Sequence, residues 1–131
     1  MTAPRLLLLT LLIATTAALL AACGPTPPQA PLADAKVLDA SLSGISTACG
    51  EIYQMSAFAP PPARELDPIE ASASFEARKL ARVYAKDPAW IYQGETVRTI
   101  VGEALSTLRG CGLDRPAAVL KERTRGARPS S

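Results

Sequence analysis

The sequence predicts an all-α protein, a small antiparallel three-helix bundle with up-down-up order, and three observations support this prediction. Apolar residues make up 48% of the 131 residues but aromatic residues only 5%, which favours Ala/Leu helices over an aromatic-rich sheet. Three stretches repeat apolar residues at the three- and four-residue spacings of an amphipathic helix. Between these stretches we find no strand signal.

The chain begins with the anatomy of a secretory signal peptide. Arg5 precedes an apolar run of 15 residues that extends from Leu6 to Leu20. A membrane span needs about 20 apolar residues, whereas a signal peptide places a shorter run between a basic start and small residues. A plain secretory signal and a single-span anchor are the alternatives, and both fit the sequence less well.

Residues 20–23 read Leu20-Ala21-Ala22-Cys23 and resemble the lipobox of bacterial prolipoproteins. The resemblance implies that residues 1–22 are a lipoprotein signal peptide and that Cys23 carries a diacylglycerol, with palmitate-like acyl chains. The membrane is then a partner through this N-terminal lipid, and the protein is extracytoplasmic. Gly24 replaces the Asp that favours inner-membrane retention, which implies the outer membrane where one exists and otherwise the outer leaflet of the cell membrane.

A Pro-rich tether is predicted in residues 23–33, which contain four prolines. Such segments extend as polyproline II at about 3.1 Å per residue, so residues 24–31 form a stalk of roughly 25 Å. We assign residues 34–112 to the helical bundle domain. Residues 113–131 are assigned to a short helix and a flexible basic tail.

The first predicted helix begins with Asp34 as its N-cap and ends near Ala57, because Pro60-Pro61-Pro62 stops it. Its apolar stripe consists of Leu38, Leu42, Ile45, Cys49 and Ile52.

The second predicted helix begins at Asp67-Pro68-Ile69-Glu70, which places an N-cap Asp, a first-turn Pro and an N3 Glu in order. Basic residues occupy its last turns, where they suit the helix dipole. They are Arg78, Lys79, Arg82 and Lys86.

The third predicted helix begins at Asp87-Pro88 or, after a break at Gly94, near Glu95, and it ends at Gly110 and Gly112. Its apolar stripe consists of Val97, Val101, Ala104, Leu108 and Cys111. A short fourth C-terminal helix is predicted from Asp114-Arg115-Pro116 to about Arg123.

Cys49 and Cys111 lie on the apolar stripes of the first and third helices, which run parallel in an up-down-up bundle. Their predicted heights along the two helices are compatible with a disulfide. The alternative is two buried free thiols, since unpaired Cys packs well in cores. An even pair in a small exported domain favours the disulfide, and the absence of a CxxC spacing argues against redox chemistry.

The composition excludes several classes of chemistry. The chain has no histidine, which removes the commonest general base and zinc ligand. Its three cysteines are too few for a four-Cys zinc site, and a net charge of +2 lacks the basic footprint of a nucleic-acid binder. The carboxylates are scattered at solvated helix faces, and no glycine-rich phosphate loop is present. We therefore expect no catalytic residues, no metal and no cofactor, and predict that the protein is not an enzyme.

Trp90 and Tyr92 are the candidate interaction residues, because Trp and Tyr anchor interfaces when they are exposed. Alternatively, they cap the end of the bundle core. The tail after Arg115 is rich in arginine and lysine, so it either contacts anionic lipid or cell-wall polymers or serves as a solubilising terminus.

Together these features predict a small lipid-anchored envelope lipoprotein whose non-catalytic helical domain binds or spaces another envelope component, such as an envelope protein. The alternative function is a carrier that holds a small apolar ligand between its helices. An exposed apolar groove would favour partner binding, and a closed pocket of several hundred Å³ would favour the carrier.

Overall fold

A computed structural model describes residues 26–126. They form four helices and one short hairpin, so the predicted all-α class is confirmed at the level of secondary structure. The elements are α1 (Leu32–Met55), α2 (Ala63–Lys86), β1 (Ile91–Tyr92), β2 (Glu95–Thr96), α3 (Val97–Gly110) and α4 (Asp114–Arg125). Within this part of the chain, none of the helices combines the length and apolarity of a membrane span.

The start of α1 differs from the prediction. Pro31 occupies the N-cap position, and no side chain caps the helix there. Asp34, the predicted N-cap, lies inside the first turn, is buried, and forms an ion pair of 2.6 Å with Lys86 Nζ. The Asp34 carboxylate, predicted to cap the helix, therefore pairs instead with Lys86, which lies 52 residues further along the chain.

The start of α2 was also predicted wrongly. The helix begins at Ala63, directly after Pro62, and Pro68 lies inside it rather than in its first position. Pro68 has no N–H to donate to the carbonyl of Arg64, which costs one helical hydrogen bond. The added first turn brings Leu66 against the hydrophobic core, which favours the longer helix.

α1 and α2 pack closely against each other along their length. Lys86 in the last turn of α2 pairs with Asp34 in the first turn of α1, so the end of one helix lies beside the start of the other. Midway, the Glu76 side chain crosses Gly44 so closely that a Cβ at residue 44 would come within 2.7 Å of its Cγ. Glycine at this position therefore permits the close approach of the two helices.

A hairpin precedes α3, so the prediction of a chain without strands is wrong here. β1 and β2 pair antiparallel, and the loop between them consists of Gln93 (φ 50°) and Gly94 (φ 80°). Two successive positive φ angles are those of a type I′ turn, whose twist matches that of paired strands. The third helix then starts at Val97, close to the second of its two predicted starts, and the Thr96 hydroxyl caps it by accepting a hydrogen bond of 3.1 Å from Thr99 N–H.

The turn between α3 and α4 is a Schellman motif. Gly112 has a φ of 84°, its N–H donates to the carbonyl of Arg109 (3.1 Å), and the N–H of Leu113 donates to that of Leu108 (2.9 Å). Gly112 therefore ends the third helix as predicted. The fourth helix is present and begins at Asp114, the predicted residue.

The last part of the predicted tether is fixed to the hairpin. Gln29 forms a parallel bridge with Ile91, in which Ala30 N–H donates to the Ile91 carbonyl (2.8 Å) and Ile91 N–H donates to the Pro28 carbonyl (3.0 Å). The residues before α1 thus belong to the folded domain from Pro28 onward.

One hydrophobic core joins all four helices. α4 contributes Pro116, Ala117 and Leu120 to the buried residues and packs extensively on α2. The core therefore continues past residue 112, the predicted end of the bundle domain.

A disulfide joins Cys49, near the end of α1, to Cys111, the residue after α3. Their Cα atoms are 5.5 Å apart, within the usual range for a disulfide. The pairing predicted from the sequence is therefore seen, and it holds the ends of α1 and α3 together.

Reduction of this disulfide is expected to destabilise the protein strongly. Closing a loop with a sequence separation of 62 residues stabilises the fold by about 4 kcal/mol in the loop-entropy treatment. In a domain of this size the thermal midpoint should fall by more than about 10 °C. Calorimetry of the purified protein with and without reductant measures the shift, and the Cys49→Ala/Cys111→Ala variant should melt like the reduced protein. A midpoint insensitive to reductant would contradict the prediction.

A second prediction tests the part that α4 plays in the core. Leu120 is fully buried, so Leu120→Ala should lower the free energy of unfolding by about 2–5 kcal/mol. Leu32 has a side chain that is 73% exposed, and Leu32→Ala is the matched control, with an expected change below about 0.5 kcal/mol. Urea titrations of both variants measure the difference. Equal stabilities would mean that α4 is dispensable for the core.

Candidate interaction surface

An open cleft of about 320 Å³ lies between α1 and α3 and is closed at one end by the hairpin. We call it the α1–α3 cleft. Its apolar lining consists of Leu42, Ile45, Ile100 and Ala104. Its polar lining consists of Ser46, Tyr92, Gln93, Glu95, Glu103 and Thr107.

Helical periodicity explains why these side chains meet. Leu42 and Ser46 are four residues apart on α1, and Glu103 and Thr107 are four residues apart on α3, so each pair lies on one helix face. Ala104 is small, which leaves room between the two helices. Beyond this region the Cys49–Cys111 disulfide draws α1 and α3 together.

The charged side chains that line the cleft are all negative. Glu95 and Glu103 line it and are exposed, whereas no lysine or arginine is found among its lining residues in the part of the chain that the structure describes. Carboxylates around an apolar floor favour a ligand that combines an apolar side chain with a positive charge.

Tyr92 links the hairpin to α1 at the closed end of the cleft. Its hydroxyl donates to Asp39 Oδ1 (3.3 Å) and accepts a hydrogen bond from Gln93 Nε2 (3.2 Å). Burial raises the pKa of the Tyr92 phenol, and the Asp39 carboxylate raises it further. Both effects hold the phenol in its neutral form, in which its single O–H proton is donated to Asp39.

The two predicted interaction residues have different surroundings. Both are half-buried and pack against the hydrophobic core. Tyr92 lines the α1–α3 cleft, whereas Trp90 is not among its lining residues. The Trp90 carbonyl instead accepts a hydrogen bond of 2.9 Å from Val97 N–H, which ties the hairpin to the start of α3. Their role in binding stays a prediction.

Some predicted sites lie outside the described residues. These are the signal peptide, residues 1–22, the lipidation site Cys23, and the last part of the basic tail, residues 127–131. Within residues 26–126, no three side chains of His, Cys, Asp or Glu lie close enough together to hold a metal ion.

The acidic residues of the cleft are not among the site residues predicted from the sequence. The scattered carboxylates were predicted on solvated helix faces, which holds for the exposed Glu103, whereas the exposed Glu95 lies on β2. Glu103 and Thr107 share one face of the third helix in the structure, and no pattern in the sequence indicates that this face borders α1.

A second exposed feature lies at the end of the domain opposite the hairpin. Phe58, in the loop between α1 and α2, has a fully exposed side chain (100%), and Tyr53 in the last turns of α1 is also exposed. The rest of this loop is mainly Ala and Pro. We call residues 56–62 the distal loop.

Comparison with protein family models, curated proteins and solved structures gives no significant match to this chain. Its function is therefore inferred from its residues and their geometry.

Proposed function

We propose that this protein is a lipid-anchored envelope lipoprotein whose non-catalytic helical domain binds a segment of another envelope protein in the α1–α3 cleft. The observation that carries the binding function is the cleft itself, which is open to solvent, apolar at its floor and lined by acidic but not basic side chains.

The anchor is supported by Leu20-Ala21-Ala22-Cys23, with its lipobox-like order of Leu, two small residues and Cys. Two or three acyl chains on Cys23 make membrane attachment effectively permanent, since each buried CH₂ contributes about 0.8 kcal/mol. The domain then needs no transmembrane helix. The disulfide is in keeping with an oxidising compartment outside the cytoplasm.

The chemistry of the cleft specifies the partner segment. Leu42, Ile45 and Ile100 offer contacts to an apolar side chain, and Glu95 and Glu103 attract a lysine or arginine beside it. The partner is therefore an amphipathic, basic peptide segment. Without histidine in the chain, the cleft also lacks the commonest catalytic base, which favours binding over catalysis.

The helix arrangement that supports this cleft is, in our proposal, the up-down-up bundle of α1, α2 and α3, with α4 packed on α2. The Lys86–Asp34 ion pair and the Cys49–Cys111 disulfide, at opposite ends of α1, agree with this order. The carrier of a small apolar ligand is the weaker alternative, because the cleft is open on one side and carries carboxylates.

The anchor is tested by the Cys23→Ser variant of the full-length protein. The wild type should incorporate labelled fatty acid and sediment with membranes, whereas Cys23→Ser should lose the label completely and accumulate as an uncut precursor. Immunoblots and acyl labelling in the bacterial host measure both outcomes. Acylation or normal maturation of Cys23→Ser would contradict the lipid anchor.

The cleft is tested by photocrosslinking in cells. A photoreactive amino acid at Ser46, which lines the cleft, should yield a crosslinked envelope protein, and the same amino acid at Lys121, on the exposed side of α4, should not. Glu103→Lys should reduce the crosslink several-fold, because it replaces an attraction between exposed charges, worth up to about 1 kcal/mol, by a repulsion. Glu122→Lys makes the same charge change away from the cleft and is the matched control. Equal crosslinking in the two variants would exclude an acidic binding cleft.

A further inference from the structure

The tether between the lipid and the folded domain is short. The bridge to Ile91 begins at Pro28, and only Gly24 to Pro27 separate this residue from Cys23. Five steps between successive Cα atoms span at most about 18 Å, whatever their conformation. Ile91 lies one interstrand spacing further, so its backbone stays within about 23 Å of Cys23.

This limit applies to one end of the domain only. The hairpin, the start of α1 and the end of α2 lie together at that end, as the Gln29–Ile91 bridge and the Asp34–Lys86 ion pair show. α1 has 24 residues and is therefore about 36 Å long. The distal loop follows the far end of α1, so the tether does not restrict its distance from the lipid.

The tethered end presents side chains that suit a lipid surface. Leu32 is 73% exposed at the start of α1, and the exposed Lys36 follows four residues later on the same helix face. Lys86 (58% exposed) and the exposed Arg98 lie at the same end, since Arg98 N–H donates to the carbonyl of Pro88 just after α2. We call Leu32, Lys36, Lys86 and Arg98 the anchor-end surface.

The acidic groups at this end balance the cations in number, but two of them are engaged within the domain. Asp34 is buried and paired with Lys86, and the half-buried Asp87 accepts a hydrogen bond of 2.9 Å from Ala89 N–H. Glu95 on the hairpin is exposed, and so is Asp39 on α1, which accepts the Tyr92 hydroxyl, so this end carries no net positive formal charge. An exposed leucine beside exposed cations matches the boundary between acyl chains and phosphate headgroups.

From these observations we infer that the anchor-end surface rests on the headgroup layer of the membrane that holds Cys23, and that the domain stands with its distal loop directed away from it. The inference rests on the proposed lipid anchor. Its consequence is that Phe58 is presented at a distance from the membrane, while the opening of the α1–α3 cleft remains at the side of the domain.

The single tryptophan of the chain provides a direct test, because Trp90 lies beside the hairpin at the tethered end. The full-length, lipidated protein is reconstituted into vesicles that carry a dansyl group on the lipid headgroup, and energy transfer from tryptophan to dansyl is measured. The matched variant, Trp90→Phe with Phe58→Trp, moves the only tryptophan to the distal loop. Transfer from Trp90 should be several times stronger than transfer from position 58. Equal transfer from both positions, stronger transfer from position 58, or none from either would overturn the inference.

A second variant tests whether the short tether causes this orientation. A flexible Gly/Ser segment of about twelve residues, whose own root-mean-square end-to-end distance is about 17–21 Å, is inserted between Thr26 and Pro27 and leaves the residues of the bridge in place. Transfer from Trp90 should fall clearly, and unchanged transfer would contradict the role of the tether.

Circular dichroism confirms that each variant keeps its helices. Acyl labelling of the same samples separates the two proposals, since an unlabelled wild type refutes the anchor, whereas a labelled wild type without preferential transfer refutes the orientation alone.

Discussion

The disulfide between Cys49 and Cys111 is the constraint on which the arrangement of the other elements depends. It fixes the end of α1 beside the end of α3, although the whole of α2 and the hairpin lie between the two cysteines in the chain. The fully buried core in residues 26–126 consists of aliphatic residues, many of them alanine, and the two disulfide cysteines, and it contains no aromatic ring. Such a core buries little area per residue, so a covalent link between two of its helices matters more here than in a larger domain.

The two ends of the domain are held by different kinds of interaction. At one end, the disulfide and the Schellman turn at Gly112 join α1, α3 and α4. At the other, main-chain hydrogen bonds connect the hairpin to residues 28–30 and to the start of α3, and the Asp34–Lys86 ion pair connects α1 to α2. The α1–α3 cleft lies between these two regions, and Tyr92 at its closed end bonds across to Asp39. The proposed lipid anchor is attached at the hydrogen-bonded end, so the proposed binding cleft and the membrane contact share the same supporting hairpin.

The helix boundaries show where local patterns succeed and where they fail. Gly112 ended α3 and Asp114 began α4 as predicted, because a left-handed glycine and the residues next to it form a turn without help from distant groups. Asp34 and Asp67 were predicted as N-caps, but both lie inside helices that start earlier. At Asp34 the carboxylate pairs with Lys86 across the domain, and before Asp67 the burial of Leu66 extends the helix. In both cases a tertiary contact outweighs a capping preference of about 1 kcal/mol.

The sequence by itself determined the helical class, the approximate positions of the helices and the cysteine pair, and it alone carries the prediction of a lipid anchor at Cys23. The helical class and the helix positions depend on residues within one or two helical turns of each other. The cysteine pair follows because only two cysteines remain once Cys23 is assigned to the lipid. Only the tertiary structure decided that Glu95 and Glu103 border an apolar cleft, that α4 completes the core, and that the end of the Pro-rich tether pairs with Ile91. The physical reason is that each of these features joins faces of elements far apart in the chain, and an amphipathic pattern shows which face is apolar without showing which neighbour will cover it.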